Sequence, residues 1–266
     1  MLLEVEFGQL SDPGLIRTHN EDALGHVAPR TPEEARTHGW LFAVADGVGG
    51  QDRGEVASRV AIETLLAGFR NITPSEPLTT AVPRLVQAAN THVFETAMAT
   101  GPAGSSMATT VVACALRYDR AVVSHVGDSR CYLVRQGYAV PLTRDHTFSN
   151  EQLRMGLVSA READTSATSH VLSRALGNDM FISVETSEHQ VFADDVLVLC
   201  SDGLHHSVSA TDLVQLTHQS ELERALNDLV TLAKQRDGSD NISLQIIRVR
   251  SVERVGMYRG RHYRLQ

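Results

Sequence analysis

Four aspartates in this chain stand beside short apolar runs, and this repeated arrangement constrains the fold more than any other feature of the sequence. The four are Asp46 after the run 41–45, Asp128 after 121–126, Asp202 after 196–200, and Asp240 before 242–247. Short apolar runs bounded by turn residues are typical of buried strands. In an antiparallel sheet the end of one strand lies beside the start of its neighbour, so we expect all four carboxylates at one edge.

A cluster of carboxylates needs cations to be stable. Two carboxylates about 5 Å apart repel each other by roughly 3 kcal/mol at an effective dielectric constant near 20. Oxygen ligands without a partnering Cys or His favour hard divalent ions, Mg²⁺ or Mn²⁺. Any one of these aspartates alone is more simply interpreted as a turn former or a helix cap. The hypothesis of a metal site therefore depends on all four aspartates occurring together.

The composition excludes several classes of protein. The 266 residues carry a formal net charge of -8, which gives no general attraction to nucleic acid or to anionic lipid. The three cysteines form no Cys-x-x-Cys pair, and we interpret them as reduced, buried thiols of a cytosolic protein. The first residues do not resemble a secretory signal, and no apolar run approaches the roughly 20 residues of a spanning helix. We therefore expect a cytoplasmic monomer without nucleic-acid or membrane partners.

The order of the periodic segments predicts an α+β fold. Strand-like segments occupy about 3–10, 40–45, 107–142, 171–176, 182–192, 195–200 and 241–249. Helical patterns cover 54–70, about 79–99, 210–218 and 220–236, with Pro83 expected in a first turn. We predict two antiparallel sheets packed face to face, each flanked by a helix pair. Residues 1–250 would form the single catalytic domain, with a flap at about 149–170, and 251–266 a basic tail.

Nine short motifs resemble those of the metal-dependent type 2C (PPM) Ser/Thr protein phosphatases of bacterial type, and they occur in the order typical of that family. They are RTHNED at 17–22, DGVGG at 46–50, GEVAS at 54–58, ATT at 108–110, VGDSR at 126–130, LTRDH at 142–146, LSRALG at 172–177, SDGL at 201–204 and SDNIS at 239–243. The resemblance implies a four-layer α/β/β/α sandwich that hydrolyses phosphoserine and phosphothreonine through a metal-activated water.

The resemblance also implies a role for each site residue. Asp46 would bridge two Mn²⁺ or Mg²⁺ ions, and the Gly47 carbonyl would bind one of them. Asp202 and Asp240 would bind the other, while Glu21 and Asp22 would hold metal waters. Asp128 with Asp202 would form a third metal site, and Arg17 would bind the substrate phosphate. Arg17, Asp46, Asp202 and Asp240 are thus the expected catalytic residues.

The general acid is not assigned by these motifs. Animal members of the family carry a His directly after the Asp-Gly pair, where this chain has Val48. His205 or His206 is the candidate for an outer-shell proton donor.

The expected partners are phosphorylated Ser/Thr proteins, a cognate bacterial Ser/Thr kinase or its substrates. The alternative is a catalytically silent relative that captures phosphoproteins or scaffolds a kinase, although such a module has no need of a complete acidic set. Phosphatase action on a partner-switching regulator would leave the site identical.

Overall fold

The structure is a computed structural model that describes residues 2–48, 53–74, 76–100, 107–164, 166, 168–218, 221–258 and 261–264. Two five-stranded antiparallel sheets form its centre. The strands of the first sheet are β1 (Glu4–Asp12), β6 (Arg130–Arg135), β7 (Tyr138–Pro141), β9 (Val196–Cys200) and β10 (Ile242–Ser251), in the spatial order β1-β10-β9-β6-β7. The strands of the second are β2 (Asp22–Val27), β3 (Trp40–Asp46), β4 (Val111–Arg117), β5 (Arg120–Val126) and β8 (Glu185–Gln190), in the order β2-β3-β4-β5-β8.

Helices cover the outer face of each sheet. The helices are α1 (Pro32–Thr37), α2 (Gly54–Arg70), α3 (Leu78–Thr100), α4 (Phe148–Arg154), α5 (Ala160–Asp164), α6 (Asp202–His205), α7 (Ala210–Thr217) and α8 (Leu222–Arg236). Helices α2 and α3 pack on the second sheet, and α7 and α8 pack on the first. The predicted α/β/β/α sandwich is therefore confirmed.

Strand β3 shows why its sequence is apolar throughout. Leu41, Ala43 and Ala45 face helices α2 and α3, whereas Phe42 and Val44 face the other sheet. Successive side chains of a strand point to opposite faces, so a strand covered on both sides has no solvent-facing position. By the same alternation, Asp46 belongs to the face that looks between the sheets.

Several sequence predictions differ from the structure in detail. Residues 171–176 do not form a strand, since only isolated bridges join Leu172 to Thr147 and Leu176 to Thr109. Pro83 lies inside α3 rather than in its first turn. The short helices α1, α5 and α6 were not predicted from the sequence.

The C-terminal segment is more structured than expected. Strands β11 (Val255–Tyr258) and β12 (Arg261–Arg264) form a separate antiparallel hairpin. Before it, Val252 packs against the core between the sheets, and buried Glu253 accepts a hydrogen bond of 2.9 Å from Nε of Arg36. The folded body therefore continues beyond residue 250.

The cysteines and the helices can be compared with what the sequence predicted for them. Cys114, Cys131 and Cys200 are all buried free thiols, as predicted. Among the residues that the structure describes, none of the helices combines the length and apolar character that crossing a membrane requires.

Candidate metal centre

The acidic site lies at one edge of the sandwich, where the two sheets meet. Asp46 ends β3 and is directly opposite Asp22, the first residue of β2. Asp202 follows β9 and Asp240 precedes β10, so these two come from the other sheet. The prediction that four carboxylates gather at one rim holds, with the rim shared between two sheets.

A cavity of about 460 Å³ collects most of the predicted site residues. The predicted residues that line it are Arg17, Asp46, Gly47, Asp128, Asp202 and Asp240. Glu21 and Asp22 are not among the residues that line it. The DGVGG motif contributes Asp46, Gly47 and Val48 to the cavity, whereas Gly49 and Gly50 lie outside the described residues.

Asp22 is held by a hydrogen bond that joins the sheets. The Ser201 hydroxyl donates to Asp22 Oδ2 over 2.8 Å. The other oxygen, Oδ1, is buried and has no hydrogen-bond partner among the described residues. Burial raises the pKa of Asp22 to about 7. A buried carboxylate oxygen without a donor is costly, so this atom requires a ligand that the protein itself does not supply.

The carboxyl groups act on one another strongly. Burial and the nearby charges of Asp22 and Asp202 raise the pKa of Asp46 well above its usual range. Burial and the Asp202 charge likewise raise the pKa of Asp128 to about 8. The same distribution of charge that disfavours ionisation here favours a bound cation. The potential metal ligands of these acidic residues are all carboxylate oxygen atoms, so the residues present fit hard divalent ions such as Mn²⁺ and Mg²⁺.

Two glycines are required by close backbone approach. A Cβ atom added to Gly47 would lie 2.5 Å from the carbonyl carbon of Gly54 and 2.7 Å from the Glu21 carbonyl oxygen. A Cβ added to Gly203 would lie 2.2 Å from the carbonyl oxygen of Asn241. Both contacts are shorter than any side chain tolerates, so these glycines let the acidic segments converge.

The ATT motif fixes the backbone at the end of β3. The Thr110 N–H and the Thr109 hydroxyl both donate to the Asp46 carbonyl oxygen over 2.8 Å. The Asp46 N–H in turn donates to the Thr110 hydroxyl oxygen over 3.1 Å. These contacts hold the Asp46 backbone, and with it the origin of its side chain, in one position.

Arg17 enters the cavity from the loop between β1 and β2. Its Nη2 donates to Asp240 Oδ2 over 2.8 Å, and both side chains remain partly exposed. The loop is tied to the Asp240 segment by Asn241, whose amide makes three hydrogen bonds to the loop backbone. Neither Asn241 nor Ser201 was predicted to have a role, although Asn241 belongs to the SDNIS motif and Ser201 to the SDGL motif.

The two candidate proton donors occupy different positions. His205 is buried, and its Nε2–H donates to the Asp128 carbonyl oxygen over 2.9 Å, so it positions that loop and does not face the cavity. His206 lies with Nδ1 3.8 Å from Asp202 Oδ2. Its ring packs edge-on against His170, which lines the cavity and which the sequence analysis did not single out.

A second group of potential ligands, His125, His146 and Glu185, lies outside this cavity and is less suited to a metal. Nδ1 of His146 accepts a hydrogen bond from the Gly127 N–H, so Nε2 carries the proton and donates to Glu185 over 3.3 Å. Nε2 of His125 donates to the Arg144 carbonyl oxygen over 2.8 Å. Glu185 is also paired with Arg144. These groups are used within the protein, so they stabilise the structure rather than hold an ion.

Comparison with known proteins shows similarity over most of the length of this chain. The sequence model of the Protein phosphatase 2C family matches residues 18–243. The Serine/threonine phosphatase stp of Listeria monocytogenes is 32% identical over 244 residues, covering 89% of this chain and 93% of that protein.

Solved structures extend the similarity to the whole fold. The Mycobacterium tuberculosis serine/threonine phosphatase PstP/Ppp superposes with a TM-score of 0.80 at 29% identity, covering 94% of this chain and all of the other. A PstP catalytic domain in complex with two manganese ions gives a TM-score of 0.79 at 28% identity, with the same coverage of both chains.

Proposed function

This chain belongs to the Protein phosphatase 2C family, and we propose that it hydrolyses phosphoserine and phosphothreonine in proteins with the help of bound Mn²⁺ or Mg²⁺. The observation that carries the proposal is the convergence of carboxylates from both sheets on one cavity that also contains Arg17. We further propose that it acts in the cytoplasm against the products of a cognate Ser/Thr kinase.

Each acidic residue has a proposed part in holding the ions. Asp46 would bridge two ions, with the Gly47 carbonyl on one and Asp202 and Asp240 on the other. Glu21 and Asp22 would act through metal waters, and the unpartnered Oδ1 of Asp22 supports this role. Asp128 and Asp202 would hold a third ion. When bound, divalent ions activate water as a nucleophile and neutralise charge on a phosphoryl group.

The protein's own residues orient the phosphoester. Arg17 would bind two phosphoryl oxygens through its planar guanidinium, which suits a dianionic group better than a point charge does. In exchange it would give up its ion pair with Asp240. Val48, Leu172 and Ala175 give the cavity part of its wall as apolar surface.

Phosphate release from p-nitrophenyl phosphate, measured with Mn²⁺ and after chelation, tests the proposal. We expect activity only with the metal and its loss by more than 100-fold in Asp202→Asn, since the lost carboxylate cannot be replaced by a neutral amide. Asp228→Asn is the matched control, because Asp228 is an exposed acid that pairs with Arg224 on the surface of α8. Activity that survives both chelation and Asp202→Asn would falsify the mechanism.

The same preparation distinguishes the alternative of a silent binding module. Calorimetry with a phosphothreonine peptide would then show binding without turnover in the presence of Mn²⁺.

We propose that the catalytic domain extends from residue 1 to about residue 254 and that the basic hairpin is an addition to it. The contacts of Val252 and Glu253 with the domain support this boundary. Deletion of residues 255–266 is expected to leave the rate on p-nitrophenyl phosphate within twofold of that of the full chain. A larger loss would make the hairpin part of the domain.

A further inference from the structure

Exposed apolar side chains are concentrated on the segments that border the catalytic cavity. Among the described residues, twelve large hydrophobic side chains are exposed, and six of them lie on these segments. The six are Leu15, Ile16, Phe148, Val171, Met180 and Phe181, and we call them the apolar rim. Single exposed apolar residues need no explanation, but a set gathered around one cavity indicates a surface that contacts something.

One side of the apolar rim flanks the predicted phosphate-binding arginine. Leu15 and Ile16 directly precede Arg17 and are 62% and 70% exposed. The Leu15 N–H donates to the Gly238 carbonyl oxygen over 2.7 Å, so the backbone under this pair is fixed to the segment that carries Asp240. The backbone of Leu15 is therefore fixed, and the side chains of the pair remain exposed and can contact a bound molecule.

From Leu15 a groove of about 400 Å³ leads away over helix α8. Its apolar lining comes from Leu10, Leu15 and Val230. The other described residues that line it are polar: Asn227, Thr231, Gln235 and the pair Lys234 and Asp12, whose Nζ and Oδ1 lie 3.0 Å apart. The groove thus offers three apolar side chains and no net charge in its described lining, which suits an uncharged side chain.

The other side of the apolar rim consists of Phe148 and Val171, which stand just before and just after the flap, and of Met180 and Phe181 in the loop that follows. Val171 lines the cavity itself, and its carbonyl oxygen accepts a hydrogen bond from the Phe148 N–H over 2.9 Å. Met180 and Phe181 follow Asn178, another lining residue. Buried Asn90 holds this loop by donating to the carbonyl oxygens of Asp179 and Met180. Apolar groups therefore lie next to Arg17 on one segment and at or next to the cavity-lining residues Val171 and Asn178 on another.

We propose that the substrates of this phosphatase are extended phosphoprotein segments that carry apolar residues on both sides of the phosphorylated Ser or Thr. One flanking side chain packs in the groove beside Leu15, and another packs on Val171 and Phe148. This inference rests on the proposed function and adds a substrate class to it. The net charge of -8 disfavours acidic flanks, because it repels them.

A peptide series tests the inference on the full-length protein with Mn²⁺. In a phosphothreonine peptide of otherwise Ser and Gly, a single Leu, Ser, Glu or Lys occupies each position within about four residues of the phosphothreonine, a reach of about 13 Å. We expect Leu to raise kcat/KM about tenfold over Ser at one position or more on each side, the effect of partly burying one such side chain. Glu at those positions is expected to lower kcat/KM below the value for Ser.

The ratio of kcat/KM for the Leu peptide to that for the Ser peptide is compared between variants, so each variant is its own reference. Leu15→Ser should bring this ratio to within twofold of one on one side of the phosphothreonine, and Phe148→Ser should do so on the other. Leu15→Met should retain the ratio, since an apolar side chain remains. Tyr138→Ser is the control, because Tyr138 is 74% exposed on β7 and is not part of the rim. Thermal unfolding confirms that each variant is folded; Ile16→Ser replaces Leu15→Ser, and Val171→Ser replaces Phe148→Ser, if either is not.

The outcomes separate the two levels of the proposal. A protein that releases phosphate from the peptides without preferring Leu, or whose preference is unchanged in Leu15→Ser and Phe148→Ser, refutes the inference and leaves the phosphatase assignment standing. A protein that releases no phosphate from any peptide or from p-nitrophenyl phosphate refutes the proposed function first.

Discussion

Replacing Asn241 by alanine should destabilise the protein and the site together. Its Oδ1 accepts a hydrogen bond of 2.8 Å from the Glu21 N–H. Its Nδ2 donates to the carbonyl oxygens of Pro13 and His19, each over 3.0 Å. The residue is 4% exposed, so water cannot fully replace these bonds. The one side chain therefore ties both ends of the Arg17 loop to the Asp240 segment.

The size of the effect follows from the three bonds. Each contributes about 1 kcal/mol net, and the buried groups left behind lose their partners, so Asn241→Ala should lower the free energy of unfolding by about 3 kcal/mol. Urea denaturation measures this as a fall in the midpoint of about 1–1.5 M at an unchanged slope of about 2–3 kcal/mol/M. Because the loop carries Arg17, kcat/KM should fall as well under conditions where the variant is folded.

A matched variant separates this effect from the loss of any asparagine. Asn227 is exposed on α8, and its amide makes one hydrogen bond, to the Glu223 carbonyl oxygen. Asn227→Ala should change the free energy of unfolding by less than about 0.5 kcal/mol. If Asn241→Ala costs no more than Asn227→Ala, the loop is not held as described.

Three further predictions follow from single groups. Arg17→Lys keeps the charge but loses the planar fork, so kcat/KM for p-nitrophenyl phosphate should fall about 10- to 100-fold in steady-state assays, and an unchanged value would contradict the phosphate-binding role. Burial lowers the pKa of His146 to about 4, so the unfolded chain binds the extra proton first as pH falls from about 6.5. The contribution of neutral His146 to the free energy of unfolding is therefore complete above pH 6.5, and the free energy of unfolding should fall by about 2–3 kcal/mol by pH 4.5. Urea midpoints measured over this pH range should fall less in His146→Gln than in the unsubstituted protein. Equal falls would exclude this cause. Because burial raises the pKa of Asp22 to about 7 and that of Asp128 to about 8, Mn²⁺ binding at pH 7 should release at least one proton and tighten as pH rises. Calorimetry in two buffers of different ionisation enthalpy measures the release, and a value of zero would refute it.

Local sequence patterns were sufficient to predict the acidic edge and most strands of the two sheets, although β2 was not predicted and the strand assigned to 171–176 was wrong. An apolar run such as 41–45 encodes a strand buried on both faces, and the aspartate after it has to lie at the edge of the sheet. Gly47 could be singled out for the same reason, since it stands where the chain turns.

What the sequence could not indicate depends on contacts between distant segments. The hydrogen bond from Ser201 to Asp22 joins residues of different sheets, and nothing local to Ser201 signals it. Residues 171–176 have strand-like composition, yet their backbone groups bond to separate segments. The Ser173 N–H donates to the His146 carbonyl oxygen, whereas Leu176 exchanges two hydrogen bonds with Thr109. The roles of Asn241 and His170 could not be predicted from the sequence either, because the positions of these residues depend on where distant loops meet.

The central claim is that carboxylates from the two sheets jointly hold a pair of divalent ions beside Arg17. Anomalous diffraction from crystals grown with Mn²⁺ measures this most directly. The account predicts two manganese peaks bridged by Asp46, one of them contacting Asp202 and Asp240, and no peak between His125, His146 and Glu185. Manganese at the histidine cluster with none at Asp46 would contradict it.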